Sequence, residues 1–305
     1  MSLFITSLNS GSNGNCYFIG NDREAVLVDA GISCKETEKR MDRLGLPMER
    51  IKAIFVSHEH SDHINGIPVL AKKYRLPVYI TPDTLSNSGL RLDGQFVRVF
   101  RAGEQVSIGE LVVTAFSKLH DAAEPHSFIV TARGITIGIF TDIGEPCQEV
   151  IRHFQQCRAA FLEANYDERM LTEGRYPAYL KKRISGAHGH LSNTQALELF
   201  RTHKPPFMSH LLLSHLSKEN NRPELARELF IPHADGTEII VASRHEETAV
   251  YTILDPGTQA AQQIARPAIS QQPQPLTAPA ISYPPYRRGR KKDPAAASPQ
   301  QYSLF

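Results

Sequence analysis

Three features of the sequence point to an α/β sandwich of packed layers followed by a disordered tail. Short apolar runs of strand length dominate the first half, and helical and extended segments alternate in the second. After Leu254 the composition breaks, because Pro256–Ser298 is rich in Pro, Gln and Ala and poor in large apolar residues. Such a segment cannot offset its ordering entropy by burial. Residues 1–254 are therefore expected to fold as one unit, and residues 255–305 to form a tail.

In chain order, Phe4–Leu8, Cys16–Ile19 and Ala25–Val28 read as strands separated by Gly/Asn/Ser turns. Ile51–Ser57 is a further strand, and beyond a His-rich segment Ile67, Leu70, Ala71 and Tyr74 share one helical face. Strands then follow at Val78–Thr81, Val97–Phe100, Leu111–Phe116, Phe128–Thr131 and Ile135–Thr141. Turns at Gly109-Glu110 and Arg133-Gly134 suggest antiparallel pairing. Pro146–Cys157 reads as helix, Ala159–Leu162 as strand, and Ser192–Arg201 as a helix opened by a Ser192/Gln195 capping box. Leu211–Ser214 is a buried strand, and Asn221 with Pro223 is an N-cap and N1 pair for Glu224–Leu229. Ile239–Ala242 and Ala249–Ile253 complete the set. Two sheets packed together and covered by helices satisfy this order.

With 305 residues, 41% hydrophobic and 22% charged, the chain can bury a sizeable core. The formal net charge of +2 is unevenly spread. From Pro256 onward Arg266, Arg287, Arg288, Arg290, Lys291 and Lys292 oppose Asp293 alone, so the tail carries +5 and the rest −3. The N-terminus has neither a basic n-region nor a long apolar stretch, and no window approaches the ~18 apolar residues of a membrane span. Cys16, Cys34, Cys147 and Cys157 show no CxxC spacing. Free thiols in a cytoplasmic protein with no membrane partner are the expectation.

The strongest chemical signal is Ser57-His58-Glu59-His60-Ser61-Asp62-His63, directly after an apolar strand. In an extended segment alternate side chains share a face, so His58 and His60 can reach one metal. A turn into helix would then swing Asp62 and His63 toward a second. Imidazoles and a carboxylate suit Zn²⁺ or Mn²⁺.

HEHSDH resembles the HxHxDH signature of the metallo-β-lactamase superfamily. Further motifs of that superfamily appear in order: Asp29 after Val26-Leu27-Val28, His120 before Ser127-Phe128-Ile129-Val130, Asp142 in Phe140-Thr141-Asp142-Ile143-Gly144, and His215 in Leu213-Ser214-His215-Leu216-Ser217. The resemblance implies an αββα four-layer sandwich. It also implies two divalent metal ions, with His58, His60 and His120 on one, Asp62, His63 and His215 on the other, Asp142 bridging, and Asp29 orienting the loop. Two metals ~3.5–4 Å apart can hold a hydroxide nucleophile and stabilise attacking and leaving oxygens.

Glu163-Ala164-Asn165-Tyr166 and Gly189-His190-Leu191-Ser192 resemble elements of ribonuclease Z. By that resemblance His190, supported by Glu163, protonates the leaving oxygen, and Asp62, His190 and Glu163 form the catalytic set. Ser10-Gly11-Ser12-Asn13-Gly14-Asn15-Cys16-Tyr17, Gly31-Ile32-Ser33, His120-Asp121-Ala122, Tyr176-Pro177 and Asn220-Asn221 are similar to the YycJ/WalJ group of bacterial enzymes. That similarity implies a 5′→3′ exonuclease acting on duplex DNA, linked to replication or mismatch repair. A small-molecule hydrolase of the same fold (a cyclic phosphodiesterase or lactonase), a ribonuclease, and a non-enzymatic adaptor with a vestigial site are the rivals.

The terminal Gln301-Tyr302-Ser303-Leu304-Phe305 resembles the peptide that docks on the bacterial polymerase sliding clamp, with Gln301, Leu304 and Phe305 as anchors. The cluster Arg287, Arg288, Arg290, Lys291 and Lys292 could contact nucleic-acid phosphates or simply solubilise the tail.

Overall fold

The computed structural model describes residues 2–255 of the chain. Two seven-stranded mixed sheets lie face to face. The first is assembled from β1 (Ser2–Asn9), β2 (Cys16–Gly20), β3 (Ala25–Val28), β4 (Ile51–Phe55), β5 (Val78–Ile80), β6 (Val97–Val99) and the last strand, β14 (Tyr251–Leu254), in the order β14-β1-β2-β3-β4-β5-β6. The second runs β13-β12-β11-β10-β9-β8-β7 and comprises β7 (Gln105–Ile108), β8 (Leu111–Ser117), β9 (His126–Ala132), β10 (Ile135–Phe140), β11 (Ala159–Glu163), β12 (His210–Ser214) and β13 (Glu238–Val241). In the first sheet the pairs from β14 to β3 are antiparallel and those from β3 to β6 parallel; in the second the pairs from β13 to β10 are parallel and those from β10 to β7 antiparallel.

The packing follows strand periodicity. In β3 and β11 every residue is buried, but successive side chains face different layers. Val26, Val28, Ala159 and Phe161 join the core between the sheets, beside Phe55, Phe128 and Leu212. Ala25 and Leu27 face the helical layer of α1 (Cys34–Arg43) and α3 (Ile67–Tyr74), whereas Ala160 and Leu162 face α5 (Gln148–Phe154), α8 (Asn193–His203) and α9 (Pro223–Phe230). Four layers result, as the sequence led us to expect.

The hairpins at Gly109-Glu110 and Arg133-Gly134 pair antiparallel as expected, and the Ser192/Gln195 capping box is present. One expectation fails. Arg222, not Asn221, is the N-cap of α9. The Asn221 amide instead donates to Ala164 O at 2.8 Å, Asn165 O at 3.1 Å and Asn193 Oδ1 at 2.8 Å. Buried acceptors of the loop after β11 outcompete a helix terminus that solvent can satisfy. Several elements had no clear signal. In α1, the sequence Cys-Lys-Glu-Thr-Glu-Lys-Arg-Met-Asp-Arg offers few apolar residues, and its start is fixed by the Ser33 hydroxyl accepting from Glu36 N. Strand β7 and the short helices α4 (Pro82–Ser88), α6 (Glu168–Glu173) and α7 (Ala178–Ile184) were likewise unmarked. No helix of the described residues is long and apolar enough to cross a membrane.

Candidate metal centre

The site forms where strand ends from both sheets meet. Asp29 follows β3, the His-rich segment follows β4, Asp142 follows β10, Glu163 ends β11, and His215 follows β12. Asp29, Asp142 and His215 have φ of 60°, 55° and 56°. Left-handed backbone is uncommon outside glycine, and Asp and His tolerate it better than most residues. Three such residues turn abruptly off three strands, Asp142 and His215 reaching the cleft and Asp29 backing the His-rich segment behind it. The chain then enters α2 (Ser61–Ile64), which carries Asp62 and His63 away from the direction of His58 and His60.

Two groups of ligand-type atoms result. His58 Nε2 lies 3.0 Å from His60 Nδ1, and His120 Nε2 lies 3.3 Å from the same atom. Tetrahedral zinc with Zn–N bonds of about 2.0–2.1 Å sets its nitrogens roughly 3.3 Å apart, so this trio has the span of one ion. In the second group, His63 Nε2 is 3.5 Å and His215 Nε2 3.6 Å from Asp62 Oδ2. Asp142 sits between them, with Oδ2 3.3 Å from His63 Nε2 and Oδ1 3.9 Å from His120 Nε2.

Neighbouring groups hold the far side of the His58, His63, His120 and His215 rings. His58 Nδ1 donates to Ser57 Oγ at 2.9 Å, and that hydroxyl donates to Asp29 Oδ2 at 2.8 Å. His63 Nδ1 donates to Asp29 Oδ2 at 2.7 Å, His120 Nδ1 to Gly189 O at 3.0 Å, and His215 Nδ1 to Glu163 Oε1 at 2.9 Å. Each contact fixes a tautomer and leaves Nε2 facing the centre, the arrangement metal-ligating histidines adopt. Two facing atoms, Asp142 Oδ2 and His215 Nε2, are buried without any hydrogen bond of acceptable alignment despite those approaches. Leaving such atoms unmade is costly, and a cation bound between them would satisfy both. The donor set therefore fits divalent metal.

The electrostatics of the two groups differ. Burial pushes His58 and His120 well below the ordinary imidazole range and lowers His60. For His63 and His215 burial acts the same way, but Asp142 and the neighbouring carboxylates outweigh it, raising His63 well above its ordinary value and His215 to about 10. Asp142 and Asp62 resist burial through their imidazole neighbours and are lowered.

His190 borders the same centre. Its Nδ1 donates to Glu163 Oε1 at 2.9 Å, the oxygen that also accepts from His215. Glu163 Oε2 accepts from Ile143 N at 2.8 Å and Leu191 N at 3.1 Å, so this fully buried carboxylate is saturated and immobile. A cavity of about 1110 Å³ opens above His60, Asp62, Asp142, His190 and His215.

The structure thus brings together Asp29, His58, His60, Asp62, His63, His120, Asp142, Glu163, His190 and His215. Gln301, Leu304, Phe305 and the cluster Arg287, Arg288, Arg290, Lys291 and Lys292 lie outside the described residues. Sequence reasoning assigned no role to Asn15. Its Oδ1 accepts from Gly11 N at 2.9 Å and Tyr17 OH at 3.1 Å, which turns Nδ2 toward Asp62 Oδ2 at 3.1 Å and His63 Nε2 at 3.0 Å. Lys118 was also missed. It is buried, and Nζ donates to Thr141 O at 2.7 Å, bracing the residue before Asp142. The Gly/Ser/Asn-rich segment around Asn15 was a signal, but it does not say which amide turns inward.

A β-lactamase superfamily domain matches residues 24–215. The chain is 36% identical over 232 residues to exodeoxyribonuclease YycJ of Bacillus anthracis, covering 74% of this chain and 87% of that protein. It is 33% identical over 224 residues to exodeoxyribonuclease WalJ of Streptococcus pneumoniae, covering 72% and 83%. Among solved structures, the metallo-β-lactamase fold protein YhfI of Bacillus subtilis superposes with a TM-score of 0.63 at 17% identity, covering 83% of this chain and 100% of that one.

Proposed function

The chain belongs to the metallo-β-lactamase superfamily, and from that premise we propose that it is a metal-dependent nuclease, a dinuclear phosphodiesterase that shortens DNA from the 5′ end. The observation that carries this reading is the pair of ligand groups sharing Asp142 on the floor of a large cleft, with His190 beside them. Residues 1–254 would form the catalytic domain.

His58, His60 and His120 would hold one ion, Asp62, His63 and His215 the other, with Asp142 facing both. When bound, such ions supply activation of water and neutralise phosphate charge. The remaining work falls to the chain. Asp29 and Ser57 keep the imidazoles in the required tautomers. With the His190 ring as imidazolium, its Nδ1–H would be held by Glu163 and its Nε2–H would be the proton available to the cleft that this residue lines, leaving neutral imidazole after transfer. As the phosphorus–oxygen bond breaks, that proton passes to the leaving oxygen, and the buried Glu163 carboxylate keeps the ring oriented. A cleft of about 1110 Å³ exceeds the about 300–1,000 Å³ usual for small ligands, which favours a polymer over the lactonase or cyclic-phosphodiester reading. The relatives named exodeoxyribonucleases support DNA as that polymer. We further infer a cytoplasmic protein tethered to the sliding clamp through Gln301, Leu304 and Phe305, a reading that rests on the sequence alone.

The test uses duplex DNA labelled at either end, with Mn²⁺ or Zn²⁺, beside an Asp62→Ala control. Stepwise loss from the 5′ end, absent in the control, is expected. Intact DNA alongside cleavage of bis(p-nitrophenyl) phosphate would overturn the nucleic-acid assignment.

A further inference from the structure

Helix α7 buries none of its seven residues, although it stands on the wall of the catalytic cleft. Its apolar stripe, Leu180 and Ile184 one turn apart, is only half-buried, too little to hold a two-turn helix by itself. It is held by contacts with the site. Arg183 Nε donates to Asp121 Oδ2 at 2.5 Å, and Asp121 Oδ1 lies 3.4 Å from His120 Nε2. At its end, Ile184 O accepts from His190 N at 2.8 Å. A Cβ on Gly189 would fall 2.1 Å from that carbonyl, and one on Gly144 would fall 2.1 Å from Ala187 O, so glycine at both positions permits the close seating. The helix is therefore fixed to the centre, and its outer surface is free to present side chains.

What it presents is aromatic and basic. Tyr179 lines the cleft and is 67% exposed, the most exposed large apolar residue among the described residues. Arg175 lines the cleft three residues before α7 begins, and Lys218 and Glu219 line it from the loop after β12, Lys218 Nζ lying 4.0 Å from Glu219 Oε1. Arg175 is exposed and has no acidic partner among the described residues. The floor by contrast is acidic, with Asp62, Asp121 and Asp142. An exposed ring and an exposed arginine on the wall of a cleft with an acidic floor match the way unpaired nucleic acid is held, with bases stacked on aromatics and phosphates drawn to Arg.

Building on the nuclease reading above, we propose that α7 is a strand-binding rim: Tyr179 stacks on an unpaired base next to the cut site, while Arg175 contacts the adjoining phosphate. The substrate is then a DNA end whose terminal base is unpaired at the cut, by fraying of a duplex or in a single strand.

Steady-state cleavage of a single-stranded DNA oligomer by the metal-loaded full chain tests this, with Tyr179→Ala, Tyr179→Phe and Arg175→Ala. Removing the ring should raise KM about 5- to 150-fold, the range expected for one stacked base, with a smaller change in kcat. Tyr179→Phe keeps the ring and should stay within about threefold of the parent. A 2-aminopurine at the oligomer's end should be quenched on binding to the parent and to Tyr179→Phe, and not to Tyr179→Ala. Arg175→Ala should lower the salt-dependence slope of binding by about 0.7. An unchanged KM in Tyr179→Ala, or a Tyr179→Phe variant as impaired as Tyr179→Ala, would overturn the rim while leaving the nuclease reading intact. Failure of the parent protein to cut DNA would overturn both.

Discussion

The two ligand groups use the same imidazoles in opposite electrostatic settings. In the His58–His60–His120 group the outer nitrogens of His58 and His120 rest on neutral oxygens, Ser57 Oγ and Gly189 O, and burial lowers all three rings. In the Asp62–His63–His215 group, the outer nitrogens rest on Asp29 and Glu163, and the carboxylates hold protons on both rings. The first group is open to a cation as it stands. The second must release protons before it can bind one. One constellation can thus contain two sites of unequal pH sensitivity, set by what lies behind each ring.

The largest effect should come from removing what the two groups share. Asp142→Ala should lower DNA cleavage on the order of 10⁴-fold, the several kcal/mol attributed to metal-assisted stabilisation, and metal analysis should find fewer than two ions per chain. Next comes His190→Ala, with an expected loss of about 10²–10⁴-fold on DNA. Its loss on bis(p-nitrophenyl) phosphate should be far smaller, because nitrophenolate departs without a proton. Equal losses on the two substrates would assign His190 to binding or folding instead.

Asn15→Ala sharpens the comparison further. Its amide faces Asp62 and His63 but no ring of the first group, so only the second metal-binding step should weaken, by about 10–100-fold, in a calorimetric titration. The pH dependence follows from the same asymmetry. His215, raised to about 10, keeps its proton across the neutral range in the metal-free protein. Loading should therefore release protons below pH 10, and affinity of the second step should climb about tenfold per pH unit for each proton displaced. The first step should be nearly flat above neutrality. The sign for stability is opposite. In metal-free protein the His215 contribution is complete below its ordinary value and is lost as pH rises through about 10.

Much of this was legible in the sequence because it was local. The strand-length runs before Asp29, His58, Asp142 and His215 placed each of these residues at a strand end, and the spacing in His58–His63 anticipated the turn into α2. What escaped depends on distant partners. Nothing in the segment holding Asn15 specifies that Tyr17 and Gly11 orient its amide toward Asp62. Asn221 carried a sound capping signal and lost it to carbonyls more than fifty residues away. The helix α7 offers only Leu180 and Ile184 as an apolar stripe, too short to mark a helix, and contacts at Asp121 and His190 hold it rather than a core.

The most direct test of the account follows DNA cleavage while metal-free protein is titrated with Mn²⁺ at neutral pH, with occupancy measured in parallel. Two unequal sites acting together predict background cleavage through the first equivalent and a rise with the second. Full activity at one equivalent would contradict it.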